Sequence, residues 1–188
     1  MKNNDVLKTH KLFLLTDYDL EENYLRDMSK NGWELTAPAR YTQKFRRAEP
    51  KDVIYKIDFL SDTSDIASYK KLYEDYGWEY LGIVNNFTYF RKDADGVNDE
   101  DMDIFSDNQS RFDMINRIFR SKFAPLLVIF FCCVVTNFLN AIRSYPDDSG
   151  LPWLLITGAI LLLYIAVFTR VTKGYFRIKN KLIGKAVK

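Results

Sequence analysis

The sequence is poor in the residues that most often carry catalysis or bind metals. It has one histidine, His10, and two cysteines, Cys132 and Cys133, in 188 residues. It contains no phosphate-binding glycine loop, no metal-ligand spacing and no Gly-x-Ser-x-Gly motif. The adjacent cysteines lie in an apolar run, where a structural disulfide is not expected. We therefore expect no enzymatic activity, no cofactor and no metal site.

The net charge is also small, at +2, but it is the sum of two parts of the chain with opposite charge. Residues 1–110 hold 15 Lys or Arg against 22 Asp or Glu, whereas residues 111–188 hold 12 against 3. Hydrophobic residues make up 47% of the chain, which excludes a mainly disordered protein. The division of charge indicates an acidic domain followed by a segment of another kind.

Two long runs in the second part contain no charged residue. They are Phe123–Ile142 and Leu151–Thr169, and residues 143–150 between them favour a turn. About 20 helical residues cross a hydrocarbon core of roughly 30 Å, where backbone must satisfy its own hydrogen bonds. The sequence predicts transmembrane helices at 123–142 and 151–169, joined by an external loop at 143–150. Two buried helices of a soluble protein are the alternative.

Basic residues flank both runs, whereas the loop between them has Arg143 as its one cation. The positive-inside rule then places both termini in the cytoplasm, with two spans in the cell membrane. The first twelve residues have no apolar run, so we expect no cleavable signal peptide. Six flanking cations are predicted to contact the anionic lipids of the inner leaflet: Arg117, Arg120, Lys122, Arg170, Lys173 and Arg177.

Three polar residues lie inside the predicted spans. Asn137 and Asn140 share one face of the first helix, and Thr157 is at about the depth of Asn137 in the second. Hydrogen bonds between the helices would satisfy these groups and fix their register. A polar translocation path is the alternative, but such paths more often contain ionisable residues. We expect contacts between the helices.

The acidic part contains an internal repeat. A shift of 45 residues aligns 12–47 with 57–92 without a gap, with eight identities in 36 positions. The most specific matches are the two Gly-Trp-Glu triplets, Gly32-Trp33-Glu34 and Gly77-Trp78-Glu79. Composition alone would give about two identities. The sequence therefore predicts a duplicated domain over residues 1–92, with repeats at about 11–47 and 53–92.

Each repeat has the pattern β-α-β-β. The first strands are predicted at Lys11–Leu15 and Val53–Leu60, and in the second of these Lys56 and Asp58 alternate with apolar residues, which indicates one buried face. A helix follows in each repeat and ends at Gly32 or Gly77. Two further strands complete each unit. We expect an α+β domain with two helices on about six strands, for which a ferredoxin-like arrangement is possible.

The segments between the repeats and the spans differ in charge. Residues 93–106 are rich in carboxylates, which predicts a solvated linker, because the glycine and glutamate positions do not fit a calcium loop. Residues 107–122 predict an amphipathic helix at the membrane surface. Residues 170–188 form a basic tail. Nucleic acid could compete for this tail, but the membrane is the nearer polyanion, so no nucleic acid is expected.

Aromatic residues follow the two Gly-Trp-Glu triplets and could line a cleft for an apolar ligand or a protein segment. The alternative for each of them is a place in the core. The candidate set is Trp33, Tyr41, Phe45, Trp78, Phe87, Tyr89 and Phe90.

Five segments of the chain resemble an uncharacterised bacterial family of membrane-anchored proteins. They are ENYLRDMSKNGWEL (22–35), YTQKFRRAEPKDVIYKIDFL (41–60), EDYGWEYLG (74–82), TYFRK (88–92) and IFSDNQSRFDMINRI (104–118). The resemblance covers about residues 7–118 and is to a domain-of-unknown-function family of Firmicutes, often encoded beside PadR-type transcriptional regulators. It implies a genomic link to a regulator and gives no catalytic residue.

Two functions agree with these features. The first is a membrane-anchored cytosolic sensory or interaction module with a protein partner or an apolar small ligand. The second is an accessory subunit of a transporter or envelope-stress complex, in which the hairpin holds the specific contacts. A stand-alone channel is disfavoured, because two uncharged spans form a pore only by oligomerisation. The oligomeric state is left open by the sequence.

Overall fold

A computed structural model describes residues 5–97, 103–104, 108–145 and 150–186, without the side chains of residues 108–109 and 181–186. The chain divides into two compact units, Met1–Arg117 and Ile118–Lys188. The first unit is α+β, as predicted, and contains two three-stranded antiparallel sheets. We call this first unit the head.

The head has the element order β-α-β-β twice, followed by the start of a third helix. The strand order is β1-β3-β2 in the first sheet and β4-β6-β5 in the second. The six strands therefore lie in two sheets and not in one. The ferredoxin-like arrangement is not confirmed. The elements are β1 Val6–Thr9, α1 Tyr18–Lys30, β2 Trp33–Ala37, β3 Gln43–Arg47, β4 Val53–Phe59, α2 Ile66–Asp75, β5 Glu79–Val84, β6 Phe87–Asp93 and α3 Asn108–Ile118.

The predicted first strand, Lys11–Leu15, is wrong. Strand β1 lies earlier and pairs with β3 from Val6↔Arg46 to Thr9↔Gln43. Strand β3 has only five residues, so no partner remains for the residues after Thr9. In the second sheet β6 has seven residues and pairs with the whole of β4. The length of the partner strand therefore sets where the first strand of each sheet ends.

Strand β4 is covered on both faces, contrary to the prediction of one buried face. Helix α1 packs against β4. Tyr89, which pairs with Ile57, bonds to this helix, and adjacent paired residues point to the same side. On the other face Ile54 packs with Trp78 and Phe90 beneath helix α2. Asp58 is buried with them, at 4% exposure.

Helix α1 connects the two sheets, since it packs against both β2 and β4. Its buried face is formed by Tyr18, Glu21, Leu25 and Ser29. At its C-terminal end the Ser29 hydroxyl donates to the carbonyl of Lys51 at 2.8 Å and accepts from the Val53 N–H at 3.2 Å. These bonds hold the helix at the entry to strand β4.

Several contacts recur between positions 45 residues apart. Tyr24 meets Phe45 edge to face at 6.2 Å, and Tyr69 meets Phe90 at 5.8 Å. Arg46 pairs with Glu34, as Arg91 pairs with Glu79. The β2–β3 and β5–β6 pairs both have an irregular register at equivalent places, between Leu35 and Ala37 and between Tyr80 and Gly82. The two halves of the head thus share internal geometry as well as element order.

The second unit consists of two long helices. The first continues from α3 through α4 (Ala124–Ile129) and α5 (Thr136–Ser144), with π-helical segments at Phe119–Phe123 and Phe130–Val135. Pro125, in the first turn of α4, has no N–H to donate, which accounts for the irregular turn before it. Helix α6 spans Gly150–Ala186. Phe168 contacts Phe123 at 5.0 Å and so joins the two helices.

Both helices are long and apolar enough to cross a membrane, judged by length and composition. They span Ser110–Ser144 and Gly150–Asn180, with 35 and 31 residues. The predicted spans 123–142 and 151–169 fall inside them. Half of the predicted acidic linker, at 98–102 and 105–106, lies outside the described residues. So do residues 146–149 of the predicted external loop and residues 187–188 of the tail.

Candidate functional site

A cavity of about 820 Å³ opens beside helix α2, between the second half of the head and α3 with residues 103–104. Its wall contains four aromatic residues: Tyr69, Tyr73, Tyr76 and Trp78. Trp78 is buried, at 3% exposure, whereas Tyr76 is 69% exposed. The Tyr73 ring meets Tyr69 edge to face, with ring centres 4.8 Å apart, and lies at a tilted angle to Phe90, with ring centres 4.6 Å apart. The cavity is therefore aromatic at its base and open to solvent at its rim.

A buried carboxylate, Asp58, faces this cavity. Its Oδ2 accepts a hydrogen bond from the Tyr69 hydroxyl at 2.7 Å, and its Oδ1 accepts from Arg117 Nη2 at 3.1 Å and from the Phe59 N–H at 2.7 Å. Burial raises the pKa of the Asp58 carboxyl, while the bonds from Tyr69 and Arg117 oppose that rise. Three donors on one carboxylate favour its charged form and fix its position.

A cation also lies at the cavity. The Lys92 ammonium is 5.6 Å from the centre of the Trp78 ring, within the range of a cation–π interaction. The same ammonium donates to the Tyr76 carbonyl at 3.0 Å. In the first half the guanidinium of Arg47 lies 5.0 Å from the ring of Trp33. Each Gly-Trp-Glu tryptophan thus has a cation over it.

A second buried carboxylate, Glu21, lies outside the cavity and links the two sheets. Its Oε1 accepts from Gln43 Nε2 of strand β3 at 2.6 Å and from the Tyr89 hydroxyl of strand β6 at 3.1 Å. Burial raises the pKa of Glu21 to about 7, and the neighbouring Glu22 charge adds to that rise. The Oε1 atom of Gln43 is buried without a hydrogen-bond partner. This network holds α1 between the sheets.

The aromatic residues predicted to form one cleft do not form a single group, although Trp78 and Phe90 pack in one core cluster. Trp78 lines the cavity, whereas Phe45 and Phe90 are fully buried core residues and Tyr89 is engaged with Glu21. Trp33 is half-buried under Arg47, and Phe87 packs edge to face on Phe59 at 5.1 Å. Tyr41 is 64% exposed. The set is therefore split between core, surface and cavity.

The residues predicted to act at the membrane are placed as follows. Asn137 donates to the carbonyl of Cys133 at 2.8 Å and Thr157 to that of Trp153 at 2.9 Å, so both bond within their own helix. Asn140 is exposed and Thr157 is buried. Among the cations, Arg117 is bound to Asp58 in the head. The other five are Arg120, Arg170 and Lys173, which are exposed, and Lys122 and Arg177, which are half-buried.

Three residues central to the cavity were absent from the predicted site, Asp58, Tyr69 and Tyr73, and a fourth, Arg117, was predicted to contact membrane lipids and not this cavity. The repeat holds a signal that would have found some of them. At the 45-residue shift Asp58 aligns with Phe13, and Tyr73 aligns with Met28. Phe13 packs against Tyr24 at 5.7 Å, where the second half has a hydrogen bond from Tyr69 to Asp58. Differences between the halves therefore point to the cavity.

In the part of the chain that the structure describes, no group of three or more His, Cys, Asp or Glu side chains is arranged to hold a metal ion. His10 is exposed and lies 3.1 Å from the Thr42 hydroxyl.

The fold defines a class of protein in which an α+β domain is followed by two helices long and apolar enough to span a membrane. Within this class, the chain belongs to the family described as protein of unknown function (DUF2812), whose model matches residues 17–129. That match covers more than half of the chain and confirms the resemblance to a domain-of-unknown-function family. Comparison with curated proteins and with solved structures found no match.

Proposed function

We propose that the protein is a membrane-anchored cytosolic sensory module whose head binds an apolar or amphipathic small ligand. The observation that carries this proposal is the aromatic cavity. Its volume of about 820 Å³ lies within the range of ligand sites, roughly 300 to 1,000 Å³. Such sites combine apolar walls with a few fixed polar groups, as Trp78 and Asp58 do here.

The proposed setting is the cell membrane, with both termini in the cytoplasm and the basic flanks at the anionic inner leaflet. The two long apolar helices and the excess of Lys and Arg outside the 143–150 loop support it. In a background with Cys132 and Cys133 replaced by alanine, Tyr145→Cys should react with an impermeant thiol reagent on intact cells. Asp75→Cys, in the head, should react only after lysis. The reverse pattern would overturn this orientation.

The proposed readout is a response governed by a PadR-type regulator, with which the family resemblance is associated. A reporter for the neighbouring regulator should respond to ligand in cells with the full chain and not in cells that lack it. Equal responses in both strains would remove the regulatory part of the proposal and leave ligand binding intact.

We further propose that the head is a duplicated β-α-β-β unit. The recurring Tyr–Phe contacts, Arg–Glu pairs and hairpin irregularities support this proposal. The second copy forms one side of the cavity, where Asp58 and Tyr73 differ from their counterparts in the first copy.

The binding test uses the full chain in nanodiscs of zwitterionic phosphatidylcholine, with empty nanodiscs as the blank. The probes carry phenyl rings on a central atom and differ in charge: tetraphenylphosphonium and tetraphenylborate, with four rings, are a cation and an anion of the same shape, and triphenylphosphine oxide, with three rings, is neutral. At least one should bind and raise the melting temperature. Tyr76→Ala should weaken that binding, whereas Tyr41→Ala, at an equally exposed tyrosine outside the cavity, should not. No binding by any probe, or equal effects of both variants, would overturn the proposal.

Exchange of the helical hairpin tests the accessory-subunit alternative. An unrelated two-span anchor that replaces residues 123–169 should preserve the response if the head carries the function. Loss of the response with normal insertion and folding would instead favour an accessory subunit of a membrane complex.

A further inference from the structure

The aromatic cavity is lined by charged side chains of both signs. Four carboxylates line it, Asp58, Asp62, Asp103 and Asp113, with two cations, Lys92 and Arg117, and Asp103 also pairs with Arg111 and Lys56 outside the lining. Arg117 is held by Asp58 and by the carbonyl of Phe59 at 3.2 Å. A concave site with low-dielectric walls concentrates the field of its charges. In this cavity the charge that lies over the aromatic wall is a cation, Lys92 above the Trp78 ring.

The aromatic wall provides a suitable surface for a positive charge. The negative faces of tryptophan and tyrosine rings attract cations, most strongly when the cation is desolvated. The cavity already contains one such arrangement, because the Lys92 ammonium lies over Trp78. This ammonium donates a hydrogen bond to the backbone carbonyl of Tyr76, at 3.0 Å. A second cation at this ring would have to displace it.

The first half of the head shows what the same arrangement looks like without the surrounding wall. Arg47 lies over Trp33 there, but the residues that align with Tyr73 and Tyr76 are Met28 and Asn31. The position of Asp58 is taken by Phe13. Both halves thus have a cation over a tryptophan ring, and the second half adds three features beside it: two tyrosines and a buried carboxylate.

We propose that the cavity binds an organic cation with an aromatic or aliphatic body, and that Lys92 is an internal competitor for the cation position over Trp78. This inference rests on the proposed function, since it names the ligand class of the same cavity. The charged group of the ligand takes the place of the Lys92 ammonium, and its apolar body contacts Tyr73 and Tyr76. The Lys92 side chain moves out to solvent, where its charge is hydrated.

Competition by Lys92 makes a distinctive prediction, because removal of a residue that lines the site should strengthen binding. Lys92→Met keeps the apolar stem and removes the charge, and Lys92→Arg keeps the charge. We expect Lys92→Met to bind tetraphenylphosphonium about tenfold more tightly than the natural chain, with little change for neutral triphenylphosphine oxide. Lys92→Arg should bind both probes as the natural chain does. Arg47→Gln, at the equivalent position of the first half, is the matched control and should change neither affinity.

Equilibrium binding is measured on the full chain in zwitterionic nanodiscs, with melting temperatures to confirm that each variant is folded. In the natural chain tetraphenylphosphonium should bind about tenfold more tightly than triphenylphosphine oxide, and tetraphenylborate most weakly. Equal affinity for the neutral and cationic probes would overturn the cation assignment while leaving the proposed function in place. Unchanged or weaker cation binding by folded Lys92→Met would overturn the role of Lys92. Absence of binding by all three probes would overturn the proposed function itself.

Discussion

Arg91, on strand β6 of the second sheet, contacts the carboxylate of Glu34, on strand β2 of the first. The same guanidinium also bonds to Glu79 on β5, at 2.7 and 2.8 Å. Glu34 in turn accepts from Arg46 of its own sheet at 2.8 Å. The two equivalent Arg–Glu pairs are therefore connected to each other through Arg91, at the place where β2 and β5 approach.

Glu34→Gln should destabilise the head more than Glu79→Gln. Glu34 has a side chain only 19% exposed and serves two arginines, whereas Glu79 is 60% exposed and serves one. We expect Glu34→Gln to lower the free energy of unfolding by about 1–3 kcal/mol and Glu79→Gln by less than about 1 kcal/mol. Urea titration of the full chain in nanodiscs, followed by tryptophan fluorescence, measures both. Equal losses of unfolding free energy in the two variants would show that the Arg91–Glu34 contact between the sheets does not stabilise the head.

The buried Glu21 should make the stability of the head depend on pH. Burial raises its pKa from 4.5 to about 7, so the folded chain holds more protons than the unfolded chain between these values. Its contribution is therefore fully present below pH 4.5 and is lost as the pH rises toward 7. The shift corresponds to about 3 kcal/mol.

Glu21→Gln should remove that dependence. The variant keeps an acceptor for Gln43 and Tyr89, and its amide can donate to the unpartnered Oε1 of Gln43. We expect it to be more stable than the natural chain at pH 8, by up to about 3 kcal/mol, and to differ little at pH 4. Glu74→Gln, at an exposed acid of α2, should keep the natural pH profile. A profile unchanged by Glu21→Gln would mean that other groups cause the slope.

Arg117 and Arg120 should differ sharply in their effect on the head, although both are cations in the same basic segment. Arg117 bonds to the buried Asp58 and to the Phe59 carbonyl, whereas Arg120 is exposed. Arg117→Gln should cost about 1–3 kcal/mol of stability, because Asp58 loses its cation. Arg120→Gln should change stability by less than about 0.5 kcal/mol. Thermal melts in nanodiscs compare the two, and matching melting temperatures would contradict the assigned role of Arg117.

Two glycines with the same backbone conformation should respond differently to alanine. Gly32 and Gly77 both end a helix at φ +78, where any side chain is strained. A Cβ at Gly32 would lie 2.9 Å from the carbonyl oxygen of Ala48, whereas at Gly77 the nearest atom is the flexible end of Lys92 at 3.7 Å. We expect a loss of about 1 kcal/mol for Gly77→Ala and distinctly more for Gly32→Ala. Unfolding of both variants by urea tests this order.

Much of the fold could be predicted because its signals are local. The helices after Asp17 and near Ile66, their ends at Gly32 and Gly77, and the two apolar runs all follow from periodicity and turn residues. The end of the first strand could not be predicted in this way. It depends on where β3 begins, at Gln43, which follows a loop that contains Pro38 and lies about 30 residues away.

The candidate site was predictable only in part, since its polar residues are stabilised by distant partners. Trp78 was among the predicted residues and lines the cavity. Asp58 looked like the exposed face of an alternating strand, but it is buried because Tyr69 and Arg117, 11 and 59 residues further on, satisfy its charge. An alternating pattern along a strand indicates that one face of the strand is buried. It cannot show that a helix from a later part of the chain covers the other face.

The position of helix α1 has a consequence for how the chain folds during synthesis. The helix leaves the ribosome before β4 does, yet β4 covers part of its apolar face, and Ser29 bonds to residues at the start of that strand. The first 47 residues therefore emerge with a helix whose packing partner is still missing. Domains usually fold as units as they are made. Here the first half has to wait for the second, so a nascent chain arrested before residue 59 should remain a target for chaperones and proteases.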